Sequence, residues 1–180
     1  MRKIIDCALR LLIAIPTIVF LTENITPYQA TAAAPQEDQK TSMAALLKKA
    51  LPGAERFERV DKGGLRYEVG YQGQERVGGV FFTEGMGYRT LMRVMVGIDE
   101  QGRVVEVLLV SHNETPAIWT KDVDQQFRAQ FRGKTGPFIL KKDNPSGNLD
   151  GVASATISCR AITGAVEEAL RIFKSEWGKK

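Results

Sequence analysis

Two nearly unbroken apolar runs, at residues 91–98 and 104–110, flank the turn Asp99-Glu-Gln-Gly102, and this hairpin constrains the fold more than any other feature. Strands this apolar are not exposed to solvent on both faces, so the pair is expected at the centre of a sheet. Ahead of it, residues 65–69 alternate apolar and polar, 70–75 supply a turn, and 76–83 supply another strand. A short helix at 43–50 precedes them, capped by Ser42 and ended by Pro52-Gly53, with Leu46 and Leu47 as its apolar stripe. After the hairpin, Val123, Phe127 and Phe131 recur every four residues and predict a helix over 122–131. A short strand is expected at 138–140, inside a Gly- and Pro-containing stretch. A long helix follows over 157–177, where the stripe Ala161, Ala165, Ala169 and Phe173 is widened by Ile162, Val166 and Ile172. The pattern predicts an α+β domain, mainly an antiparallel sheet with flanking helices packed on one side.

The N-terminal end carries a different signal. Arg2, Lys3 and Arg10 lie ahead of an apolar run at 11–21, which approaches the roughly 20 residues of a membrane span if 4–10 joins it. Positive charge on the N-terminal side orients such a segment with its C-terminal end outside the cytoplasm. Residues 1–25 are therefore expected to be a membrane anchor or signal segment, forming one N-terminal transmembrane helix if uncleaved. Ala30-Thr-Ala32 and Ala32-Ala-Ala34 supply the small residues that cleavage needs, so both fates stay open. Cys7 precedes the apolar run, which excludes a lipoprotein. Residues 26–40 read as a tether and 41–180 as the exported domain.

Composition removes several function classes. The 180 residues hold only Cys7 and Cys159, too few for a disulfide scaffold or a cysteine-rich zinc site. The 25 basic and 21 acidic residues are interleaved, for a net charge of +4, and no Lys/Arg block would track a phosphate backbone, so no nucleic-acid partner is expected. His112 is the single histidine, so metal sites and histidine-based catalysis would all depend on one residue. Neither a metal site nor a catalytic group is expected.

Two stretches can carry chemistry. Asp150-Gly-Val-Ala-Ser-Ala-Thr-Ile-Ser158 lies just ahead of the long helix, where unpaired backbone N–H groups suit a phosphate and Ser154, Thr156 and Ser158 add hydroxyls. The same residue types are also ordinary helix caps. His112-Asn-Glu-Thr-Pro116 directly follows an apolar strand, at the rim of a sheet, where Glu114 and Thr115 suit the polar edges of a ligand. Trp119 either covers such a ligand or packs in the core, and Cys159 reads as a small buried apolar residue.

Taken in order, these segments resemble the FMN-binding domain found in the G subunit of Rnf ion-translocating electron-transport complexes and in the C subunit of sodium-translocating NADH:quinone reductase. The likeness spans about 51–170. It rests on Leu51-Pro-Gly-Ala54, Val77-Gly-Gly-Val-Phe81, Gly85-Met-Gly-Tyr88, Val96-Gly-Ile-Asp99 with Gly102, His112 with Glu114-Thr-Pro116, Gln130-Phe-Arg-Gly133, and residues 150–158. The resemblance implies covalent FMN, held by a phosphoester on Thr156, with Asp150, Ser154, Ala155, Ser158, Glu114 and Thr115 as cofactor-binding residues. Asp150, Ala155 and Thr156 match the family's flavinylation pattern, whereas Ala153 stands where Ser or Thr is usual and Ser154 where Gly is usual. Ala117-Ile-Trp119 replaces the family's Gly-Leu-Gly.

What the resemblance implies is an electron-carrier subunit rather than a stand-alone catalyst. It would work with the other subunits of a membrane complex and be matured by a flavin transferase. Its location would be the bacterial inner membrane, single pass, with the domain facing the periplasm or cell exterior. Two alternatives remain: the flavin domain of another exported respiratory reductase, and a degenerate, non-flavinylated scaffold.

Overall fold

The computed structural model describes residues 36–177, so the expected anchor at 1–25 lies outside the described residues. Within them no helix is long and apolar enough to cross a membrane. Five strands follow one another and pair antiparallel in sequence order: β1 (Arg56–Lys62), β2 (Leu65–Gln72), β3 (Glu75–Met86), β4 (Leu91–Asp99) and β5 (Val104–Ser111). Three helices flank them: α1 (Gln36–Ala50), α2 (Lys121–Ala129) and α3 (Thr156–Trp177). The architecture is α+β, as the apolar patterning predicts.

The helices cover both faces of the sheet, not one. Leu47, Ala50 and Leu51 at the end of α1 bury Val80, Met95 and Leu108, while α2 and α3 bury Phe81, Val94, Val96 and Val107 on the other face. Alternate residues of β3 and β4 therefore point into two different cores, which is why β4 reads as an almost continuous apolar run. Gly85 lets α3 approach: a Cβ there would stand 2.3 Å from the Ala161 carbonyl oxygen.

Several expectations are corrected. The 91–110 hairpin is not the middle of the sheet; β3 is, and β5 is an edge. β5 is apolar because both of its faces are packed, Val104 and Val107 into one core and Leu108 into the other, and its backbone edge is covered as well. The Val104 N–H donates to the Lys134 carbonyl (2.9 Å), the Gly133 N–H to the Val104 carbonyl (2.8 Å), and Arg128 to the Val107 carbonyl. α1 already runs from Gln36, through residues expected as tether, because Gln36-Glu-Asp-Gln-Lys40 is rich in straight-chain helix formers. β1 was not anticipated, since its side chains are mostly charged and exposed. The residues expected as a strand at 138–140 form only an isolated parallel bridge, Leu140 to Leu149, because the Phe138 and Ile139 N–H groups donate to the side chains of Glu167 and Asn148.

Candidate functional site

Three segments converge at the N-terminal end of α3: the β3–β4 turn, the loop after β5, and the turn that enters the helix. That entering turn closes through the Ala155 N–H on the Val152 carbonyl (3.1 Å), and the Val152 N–H donates to Cys159 Sγ at 3.3 Å. Cys159 is fully buried, as expected, and burial pushes its thiol pKa up. Ser154 holds the turn at φ +62°, the left-handed region that favours glycine. Its side chain does not prevent the backbone angle that a glycine would adopt there.

Glu114 ties the three segments together. Although buried, with 7% exposure, its carboxylate accepts from the Ser158 hydroxyl at 2.6 Å and from the Tyr88 N–H at 3.0 Å. Gly87 makes room for it, since a Cβ there would lie 2.4 Å from Glu114 Oε1. The Thr115 carbonyl accepts from the N–H groups of Ile118 (2.9 Å) and Trp119 (2.8 Å), and this tight turn brings both side chains to the site. Trp119 is largely a core residue: its indole N–H donates to Asp124 (3.3 Å) and its ring meets Phe127 edge-on.

A cavity of about 480 Å³ opens between these segments. Tyr88, Ile118, Trp119 and Ile157 supply apolar wall, and Glu114, Thr115, Ser154, Ala155, Thr156 and Ser158 complete the lining. Tyr88 (67% exposed) and Ile157 (48%) are large side chains left open to solvent at this cavity. Thr156 is the first residue of α3, half-buried, and its Oγ1 accepts from Lys142 Nζ at 2.8 Å.

Six of the seven residues expected to bind cofactor thus line one cavity. Asp150 does not. Its carboxylate pairs with Lys141 (2.8 Å), its backbone is held on both sides by the Gln130 side chain, and it lines a separate cavity of about 250 Å³. Ser158 lines the site, but its hydroxyl proton is committed to Glu114. His112 is exposed and accepts a long 3.4 Å bond from the Glu114 N–H. No cluster able to hold a metal ion occurs among the described residues. Sequence reasoning missed Lys142, and it missed Tyr88 and Ile157 as cavity walls. Tyr88 had a signal in Gly85-Met-Gly-Tyr88, whereas Lys142 had none, because its contact depends on how the 140–144 turn folds back.

The FMN-binding domain family matches residues 87–171, a span that begins at Gly87 and contains Glu114 and Thr156. The G subunit of the proton-translocating ferredoxin:NAD(+) oxidoreductase complex of Clostridium ljungdahlii is 28% identical over 129 residues, covering 71% of this chain and 69% of that protein. The G subunit of the ion-translocating oxidoreductase complex of Cereibacter sphaeroides is 29% identical over 154 residues, covering 79% and 70%. The crystal structure of Shewanella oneidensis NqrC shares the fold, with a TM-score of 0.51 at 15% identity over 73% of this chain and 74% of that one.

Proposed function

From the chain's resemblance to the FMN-binding domain family over residues 87–171, and to the G subunits of ion-translocating oxidoreductase complexes, we propose that it is the FMN-binding subunit of such a complex. We further propose that it is an electron carrier holding FMN as a phosphoester on Thr156, attached by a separate flavin transferase. Residues 1–25 would then anchor it in the bacterial inner membrane, with the domain at 41–180 outside the cytoplasm.

The observation that carries this reading is the position of Thr156, whose hydroxyl stands at the edge of a cavity with aromatic and aliphatic walls. A volume of about 480 Å³ lies within the roughly 300–1,000 Å³ usual for small-molecule sites, and the lining suits a flat ring system bearing a phosphate. Tyr88, Ile118 and Ile157 would enclose the ring and keep water from it. Thr115 would meet its polar edge, and Glu114 would hold the walls in register through Ser158 and the Tyr88 backbone. When bound, FMN supplies the electron uptake and release that no side chain here provides. Thr156 needs an outside enzyme because a threonine hydroxyl is a weak nucleophile and its hydrogen-bond donor here is an ammonium, not a base.

The test is in-gel flavin fluorescence after denaturation, on full-length protein made with its export route and a flavin transferase. Wild type should fluoresce and Thr156→Ala should not. Equal fluorescence in Thr156→Ala would move the attachment elsewhere.

A further inference from the structure

We propose that Lys142 is the countercharge for the phosphate on Thr156, a positioning residue for the flavin linkage; this rests on the reading of Thr156 as the attachment point. The turn that bears Lys142 is fixed by its backbone, since the N–H groups of Asp143 (2.9 Å) and Asn144 (3.0 Å) donate to the Leu140 carbonyl and the Lys141 N–H to Leu149 (2.9 Å). Its charged neighbours are both satisfied. Lys141 pairs with Asp150 at 2.8 Å, and Asp143 takes Arg160 Nε on both carboxylate oxygens at 3.1 Å, a contact that holds its carboxyl pKa below the usual range.

Lys142 is different. Among the described residues it makes no ion pair within 4 Å, though Asp143 feels its charge, and its ammonium spends one of three donors on the neutral Thr156 hydroxyl. Arg160 sits one turn into α3, so the Asp143–Arg160 pair pins the turn to the helix and keeps Lys142 over Thr156. A phosphodiester on Oγ1 would put its negative charge on the two non-bridging oxygens of the phosphorus bonded to Oγ1, one bond beyond the atom that Lys142 touches. The contact of an ammonium with a neutral hydroxyl would become an ion pair with a phosphate oxygen, within reach of the lysine side chain and without moving the backbone. In the unmodified protein the same contact occupies a lone pair of Oγ1 and turns the hydroxyl proton away from the ammonium, toward whatever base the transferase brings.

The test compares wild type, Lys142→Gln, which keeps a hydrogen-bond donor without charge, and Lys142→Arg, which keeps the charge. Lys142 is exposed on a turn, so all three chains are expected to fold alike, checked by thermal melts. Two readouts are taken on the full-length chain. One is the initial rate of flavin incorporation at limiting transferase, by intact mass. The other is a titration of the unmodified chain with inorganic phosphate, followed by the Thr156 amide resonance. Lys142→Gln should lower both the rate and the phosphate affinity by about tenfold at low salt, with the gap closing at about 1 M salt, and Lys142→Arg should restore both to within about twofold.

Equal behaviour of wild type and Lys142→Gln, with wild type still modified on Thr156, would overturn the proposal alone. So would failure of Lys142→Arg to rescue, or a slower rate with no change in phosphate titration, which would assign Lys142 to transferase recognition. Absence of flavin from wild-type Thr156 would overturn the underlying reading and this proposal with it.

Discussion

The two ends of α3 are built from opposite materials. At the C-terminal end, Phe173 and Trp177 stack with ring centroids 5.0 Å apart, Phe81 and Tyr67 pack against them, and Arg76 lies 4.7 Å over the Trp177 ring. At the N-terminal end, about 33 Å away along 22 residues, the contacts are a buried carboxylate, a lysine on a threonine and a turn in a left-handed conformation. One end anchors the helix to the sheet by apolar burial. The other leaves apolar wall uncovered and commits its polar groups to geometry. Apolar anchoring and the candidate site thereby lie at opposite ends of a single helix, so the site end is expected to tolerate change that the ring end does not.

Substitution at the ring end should have the largest effect. Phe81 is completely buried beneath Tyr67, Phe173 and Trp177, and Phe81→Ala should cost about 3–5 kcal/mol in denaturant-unfolding stability. Glu114→Ala comes next at about 2 kcal/mol, because it strands the buried Ser158 hydroxyl and also removes the acceptor of the Tyr88 N–H. Its flavin loading should fall further than its stability. If Glu114→Ala cost as much as Phe81→Ala, the division between the two ends would be wrong.

Ser154→Gly sharpens the comparison in the other direction. Relief of the +62° φ is worth about 1 kcal/mol and is partly offset by the extra unfolded-state freedom of glycine, so a net gain of about 0.5 kcal/mol is expected from urea midpoints. The smallest effect concerns Cys159, whose pKa is raised in the folded state by burial. As pH rises through the ordinary thiol range near 8.5, the unfolded chain deprotonates first, so this group's contribution to stability declines above that pH and is flat below it. Cys159→Ala should remove that alkaline decline, as followed by thermal melts between neutral pH and about pH 10.

Much of the apolar core was legible in the sequence, because Ala161, Ala165, Ala169 and Phe173 repeat at helical spacing and Val123, Phe127 and Phe131 do the same. Periodicity reports which residues are buried, not against what. It therefore did not reveal that α1 covers the opposite face or that β5 is an edge sealed by the 133–134 backbone. β1 escaped because an exposed edge strand has no apolar alternation, although the following Gly63-Gly64, both at positive φ, mark a two-residue hairpin turn. At the site end, the convergence of Glu114, Thr115 and Thr156 was reached through family resemblance rather than spacing. Asp150 lines a neighbouring cavity, held there by Lys141 and Gln130, which spacing could not show, and Lys142 was invisible because its contact spans a turn with no repeating pattern.

The central claim is that the end of α3 left open by apolar packing carries a flavin on Thr156. The most direct measurement is peptide mass spectrometry of full-length protein made with its export route and a flavin transferase. The account predicts an FMN-phosphoester mass increment on the peptide containing Thr156, with fragment ions placing it on that residue. A peptide without the increment, or one carrying it on Ser154 or Ser158, would contradict it.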